Sequence, residues 1–135
     1  MTTAINQLEE GLEIIPQFSK RGGLLPVVVQ ETSTGQILML ASVNEEAFQK
    51  TLETKLATFW STSRNQLWTK GESSGDLLKI DNILIDCDQD AIVYQVTLLG
   101  KGVCHTFDSN GNHRKACFYR ELNIEQNKLQ FIKDI

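Results

Sequence analysis

Four apolar runs of strand length, over residues 25–30, 36–41, 78–85 and 91–99, constrain the fold of this chain more than any other feature. The first two flank the polar turn Glu31-Thr32-Ser33-Thr34-Gly35 and read as a β-hairpin. The last two read as adjacent strands around an acidic bend. Residues 44–54 read as the main helix: Ser42 or Asn44 can cap it, Glu45 completes a Ser-x-x-Glu capping box, and Phe48 and Leu52 lie four apart on one face. Residues 57–60 and 115–121 add short strands. Residues 61–76, polar and holding Gly71 and Gly75, read as a long loop with little structure of its own, and such loops in compact domains are usually functional. Residues 4–20 carry Ile5, Leu8, Leu12, Ile15 and Phe18 at three- and four-residue steps, which predicts a short amphipathic helix or a variable arm. The sum is an α+β roll on a mostly antiparallel sheet, forming one domain over 1–135.

Composition narrows the function classes. Of 135 residues, 41% are apolar and 22% charged, with no repeat or low-complexity stretch, so one core-bearing domain accounts for the whole chain. Thirteen Lys and Arg against seventeen Asp and Glu leave a net charge of −4, which argues against a nucleic-acid or membrane-surface binder held by a basic field. The apolar runs fall short of the ~20 residues a membrane helix needs, and the amino terminus lacks the basic-then-apolar order of a signal peptide. A cytoplasmic location is expected. Three cysteines at long, uneven spacings fit neither a disulfide scaffold nor a Cys-x-x-Cys pair, so they read as thiols or thiolates.

The chemistry concentrates in three places. In Asp86-Cys87-Asp88-Gln89-Asp90, an extended backbone would put Asp86, Asp88 and Asp90 on one side and Cys87 on the other. The carboxylates suit a hard ion such as Mg²⁺ and the thiolate suits zinc; an acidic turn around a structural cysteine accounts for the same residues. An EF-hand is excluded, because the sixth position is Ala91 and the twelfth Thr97. Further on, Cys104 precedes His105, and Cys117 follows after twelve residues. With Cys87 these could supply three sulfurs and leave the fourth tetrahedral position open to water, convergence depending on the fold or on a second chain. His105 reads as a fourth ligand, a proton shuttle beside the metal, or a histidine held by a backbone carbonyl. His113, in the polar stretch 109–114, reads as solvated. In the third place, the loop Trp60-Ser61-Thr62-Ser63-Arg64 to Leu67-Trp68-Thr69-Lys70-Gly71-Glu72-Ser73-Ser74-Gly75, hydroxyls, glycines and cations can meet phosphates and an indole can face a base. A solvated loop with Trp60 and Trp68 folded inward is the alternative.

Taken in order, these segments resemble one family, the phosphoribosyl-AMP cyclohydrolases of histidine biosynthesis. The resemblance covers about 38–120 and rests on Met39-Leu40-Ala41 with Asn44, the two loop blocks, Asp86-Cys87-Asp88-Gln89-Asp90, Cys104-His105-Thr106 and Cys117-Phe118-Tyr119-Arg120. It implies Mg²⁺ on Asp86, Asp88 and Asp90, and Zn²⁺ on Cys87, Cys104 and Cys117, shared between the subunits of a homodimer. It implies hydrolytic opening of the adenine ring of N1-(5-phosphoribosyl)-AMP at N1–C6 by zinc-activated water; three thiolates would blunt the metal's effect on that water, so a neighbouring proton acceptor is expected, and His105 is the candidate. Trp60, Ser61, Arg64, Trp68, Lys70, Glu72, Ser73, Ser74 and Arg114 are the expected substrate contacts. Ending near Ile135, the chain looks like the stand-alone form rather than one fused to a pyrophosphohydrolase. Family members often have a shorter segment between the last two cysteines than 107–116 here, which puts the loop's shape and the role of Arg114 in question. A zinc-dependent nucleobase or nucleoside deaminase would need His-x-Glu followed by Pro-Cys-x-x-Cys, and neither occurs. A non-catalytic zinc-stabilised binding module would need a closed, four-ligand metal.

Overall fold

The computed structural model describes residues 3–133, and side chains from Gln7 onward. In chain order it runs α1 (Thr3–Glu10), a 3-10 turn (Phe18–Arg21), β1 (Leu25–Glu31), β2 (Ile37–Val43), α2 (Glu45–Thr54), β3 (Thr58–Ser61), β4 (Gln66–Thr69), β5 (Leu78–Ile85), β6 (Ile92–Leu98), β7 (Arg120–Asn123) and β8 (Lys128–Phe131). The expected amino-terminal element is both helix and arm: α1 stops at Glu10, and residues 11–17 lie outside helix and strand. The Ile5 side chain of the expected stripe lies outside the described residues.

β1, β2, β5 and β6 form one four-stranded sheet in the order β2-β1-β6-β5. The two hairpin pairs, β1–β2 and β5–β6, are antiparallel as their short turns require, whereas the central pair β1–β6 is parallel. That parallel seam is reachable because α2 and the β3–β4 ribbon lie between the two strands in the chain. Alternate residues of the central strands, Leu25, Val27 and Val29 with Ile92, Tyr94 and Val96, face the core, where Phe48, Phe59, Leu38 and Leu78 join them. On the opposite face Leu40, Val28, Val93 and Leu84 align in register across all four strands, and Leu40 is 59% and Leu84 48% exposed.

Asn44 caps α2, its Oδ1 accepting the Ala47 amide at 2.8 Å. Ser42 does not form the alternative box, because it is paired with Pro26 inside β2. The buried face of the helix is Ala47, Phe48 and Thr51, while Leu52 turns outward. Thr51 Oγ1 donates to the Ala47 carbonyl at 3.0 Å and accepts the Thr58 amide at 3.0 Å, tying α2 to β3 inside the core.

Two expectations need correction. Residues 61–76 are not one unstructured loop: Gln66–Thr69 is β4, which pairs with β3 through Phe59 opposite Trp68, ring centroids 5.5 Å apart. The polar residues cluster at the tip, where Asn65 takes a left-handed conformation, and their density masked the strand. Residues 115–119 are not a strand either, because their backbone serves other partners: the Val103 amide donates to the Lys115 carbonyl at 3.0 Å, and the Cys117 amide to the Leu38 carbonyl at 2.7 Å. The strand there, β7, begins only at Arg120 and pairs with β8 in a carboxy-terminal hairpin.

Candidate active site

The β5–β6 connection is a turn rather than an extended segment, and the turn is what gathers the carboxylates. Asp86 Oδ1 accepts the Asp90 amide at 2.9 Å and the Ala91 amide at 3.0 Å, while Gln89 takes a positive φ of 57°. Ligand oxygens of Asp86, Asp88 and Asp90 thereby lie within 4.8 Å of one another. The expected side-by-side placement holds, for a different geometric reason.

Two cations that sequence reading missed sit on this cluster. Lys20 Nζ lies 2.7 Å from Asp88 Oδ2 and 2.8 Å from Asp90 Oδ2, and Arg21 reaches Asp90 at 3.3 Å. The hydrogen bond from Lys20 is the main reason the Asp90 carboxyl is held well below its usual range. Burial instead pushes Asp86 up, against its two amide donors. Gln89 docks the arm that carries these cations. Its carbonyl accepts the Gln17 amide at 2.7 Å, and its side chain accepts from the Ile15 amide at 2.6 Å and donates to Leu8 and Glu13 carbonyls at 3.3 Å. The available signal was that Lys20 and Arg21 are the first basic residues in the chain, just before Gly22-Gly23.

The second centre is a cysteine pair. Cys104 is buried after β6, its amide donating to the Arg114 carbonyl at 3.1 Å. This close approach requires glycine next door: a Cβ on Gly102 would collide with the Arg114 backbone. Cys104 Sγ lies 2.9 Å from Thr106 Oγ1 and accepts the Thr106 amide at 3.5 Å. Burial, the largest single influence on the Cys104 thiol, pushes it up, but the Thr106 hydroxyl and amide, Cys117 and the charge of Arg114 together bring it below its ordinary range. Cys117 is exposed as a residue, yet crowding around its sulfur and negative charge at Cys104 push its thiol up to about 11. The two thiols are thus shifted in opposite directions, Cys104 down and Cys117 up. Lys70 lies near enough to oppose the rise at Cys117, which links the β3–β4 ribbon to this centre.

Cys87 does not join this pair within one chain. Among the described residues the aspartates are the only group of three or more ligand-type side chains within reach of a common ion. The topology gives the reason: Cys87 follows β5 at one edge of the sheet, while Cys117 is bonded to Leu38 of β2 at the other. Cys87 is exposed on its turn. His105 is exposed beside Cys104 and does not complete a three-donor set with the two cysteines.

The expected substrate residues divide into framework and free surface. Trp60, Ser61 and Trp68 are half-buried in the ribbon; Ser61 Oγ accepts the Arg64 amide at 3.2 Å, leaving the Arg64 side chain exposed at the tip. Lys70 Nζ lies 5.7 Å over the Trp68 ring, and Glu72, Ser73 and Ser74 are exposed. Arg114 lies against two aromatic rings, 4.2 Å from the centre of Tyr119 and 5.5 Å from that of Phe131, and lines a cavity of 390 Å³ with Ser109 and Lys115. A second cavity, of 620 Å³, runs from Ser74 past Lys101 to His113.

His113 corrects the sequence reading. It is half-buried rather than solvated, with Nδ1 2.9 Å from the Cys104 carbonyl oxygen and its ring 4.4 Å from that of Phe107. The Asp-x-Asn-Gly-Asn pattern at 108–112 was the signal for a closed turn that brings 107 and 113 together.

Comparison with known proteins supplies an independent finding. A sequence model of the family described as phosphoribosyl-AMP cyclohydrolase matches residues 39–119. The chain is 46% identical over 115 residues to the phosphoribosyl-AMP cyclohydrolase of Desulfatibacillum aliphaticivorans, covering 85% of this chain and 86% of that protein. It is 50% identical over 101 residues to the protein of that name from Desulfotalea psychrophila, covering 75% of each. With the Streptococcus mutans protein of the same name it shares 49% identity over 105 residues, 78% of this chain and 90% of the relative.

Proposed function

The chain belongs to the phosphoribosyl-AMP cyclohydrolase family, and from that membership we propose that it is the enzyme of histidine biosynthesis that hydrolyses the N1–C6 bond of the adenine ring of N1-(5-phosphoribosyl)-AMP. The observation that carries this reading is the family match over 39–119, which spans both loop blocks, the aspartate turn and all three cysteines. Ribosylation at N1 leaves C6 electron-poor. Water adds its oxygen at C6, the N1–C6 bond breaks with its electron pair on N1, and the protons pass to nitrogen. The exocyclic nitrogen stays as a carboxamide, so no ammonia leaves.

The residues present fit two different ions. Cys104 and Cys117 offer two sulfurs, a soft donor set suited to zinc but one short of three. The missing sulfur is assigned to Cys87 of a second copy, since Cys87 is exposed and cannot reach the pair within its own chain. The open apolar row Leu40, Val28, Val93 and Leu84 is the surface on which that homodimer would form. When bound, zinc supplies Lewis acidity that brings the ionisation of water near neutral pH. Asp86, Asp88 and Asp90 suit Mg²⁺, and their balance by Lys20 and Arg21 marks the turn as built around positive charge. When bound, Mg²⁺ supplies charge to offset the substrate phosphates.

The chain's own side chains do the remaining work. His105, exposed beside Cys104, accepts the proton from water on its ring nitrogen and returns it to the departing N1. Arg64 and Lys70, with the hydroxyls of Ser73 and Ser74, take phosphate oxygens, and Trp68 faces the base. The deciding experiment follows the ultraviolet spectrum of N1-(5-phosphoribosyl)-AMP with purified protein, with and without chelator. Ring opening that stops with chelator supports the reading; an unchanged spectrum with metal-replete protein overturns it.

A further inference from the structure

We propose that His113 is a positioning residue for the sulfur centre: by donating Nδ1–H to the Cys104 carbonyl it holds the peptide that aims Cys104 Sγ at Cys117. It thereby sets the affinity of the pair for a thiophilic metal. This rests on the metal reading of Cys104 and Cys117 given above.

The contact has one direction. A carbonyl only accepts, so Nδ1 carries the hydrogen in the 2.9 Å contact with Cys104. Among the described residues no backbone amide donates to that carbonyl, although the Cys104 amide and sulfur are both engaged, by Arg114 and by Thr106. His113 is therefore what satisfies the last polar group of Cys104. Without it the carbonyl of the 104–105 peptide loses its partner, and the backbone from which both the Cys104 and His105 side chains branch loses one of its restraints.

The segment before it is built to deliver this ring. Asp108 closes the turn on itself: its amide donates to the Asn112 carbonyl at 2.8 Å, and its Oδ1 accepts the amides of Asn110 at 2.9 Å and Asn112 at 3.0 Å. Gly111 supplies the positive φ of 79°. Phe107 and His113 then face each other across an isolated bridge, with ring planes inclined at 30°. A loop that served only to connect would not need this closure or the stack that keeps the imidazole from turning.

Two substitutions separate the donor from the ring. His113→Phe keeps a ring against Phe107 and removes the donor, whereas His113→Asn keeps a nitrogen donor near the Nδ1 position and removes the stack. The probe is Cd²⁺, titrated into metal-free full-length protein against a competing chelator and followed by its sulfur-to-metal absorption band. The affinity of His113→Phe is expected to fall about tenfold, the range for groups that orient a ligand, with circular dichroism unchanged, and His113→Asn is expected to recover most of the loss. Equal Cd²⁺ affinity in His113→Phe and the unsubstituted protein overturns the inference and leaves the metal reading standing. Absence of Cd²⁺ binding by the unsubstituted protein overturns both. Should His113→Phe not fold, a folded His113→Asn that loses affinity as far as a variant without any donor, His113→Leu, overturns it as well.

Discussion

At Cys104 every polar atom has a partner, and the residue consequences follow from that. Its thiol is drawn below its ordinary range while Cys117 is pushed up to about 11, so of the two Cys104 ionises more readily. Cys104→Ser is expected to abolish turnover and to lower bound zinc severalfold, measured by elemental analysis of purified protein; normal zinc content would remove Cys104 from the centre. His105 is exposed and outside any three-donor set, so its loss should leave the metal in place. His105→Ala is expected to cost roughly 10²–10⁴-fold in kcat with zinc retained, the usual contribution of a general acid or base. Zinc lost together with the imidazole would make it a ligand instead. The three cysteines, the aspartates and His105 were legible in the sequence as donor types. Lys20, Arg21 and the role of His113 were not, because a side chain's partner 9 or 68 residues away leaves no mark on its neighbours.

Elements were legible where the signal is local. The β1–β2 hairpin and α2 follow from apolar runs, a polar turn and an Asn cap, all read within a few residues of one another. β4 was hidden because its four residues carry little periodicity, and it forms only when Phe59 and Trp68 meet across the ribbon. The tie between α2 and β3 shows how such packing is held. Thr51→Val keeps shape but leaves the buried Thr58 amide without its acceptor, and is expected to cost about 1–3 kcal/mol. Denaturant unfolding measures this; a loss within experimental error would show that the amide finds another acceptor.

For the whole molecule, the proposed third sulfur ties the metal reading to a second copy of the chain. The sheet puts Cys87 and the Cys104–Cys117 centre at opposite edges, and its outer face carries an apolar row across four strands. Leu84→Asp places a charge at the β5 end of that row, where it costs the single chain little because Leu84 is 48% exposed. The variant is expected to run as a monomer by light scattering, to keep its circular dichroism and to lose zinc and activity together. A monomer with full zinc content would place all the ligands within one chain.

What the sequence determined by itself was the inventory and its local order: strand-length runs, a capped helix, three cysteines, three alternate aspartates and a loop of hydroxyls and cations. These are properties of residues close along the chain, where backbone geometry limits the choices. Tertiary structure alone decided the parallel seam between β1 and β6, the turn that closes Asp86, Asp88 and Asp90 under Lys20, the separation of Cys87 from the other sulfurs, and the seat of His113 against Cys104. Each of these depends on which distant segments share a buried surface, and that is settled by the packing of the core as a whole.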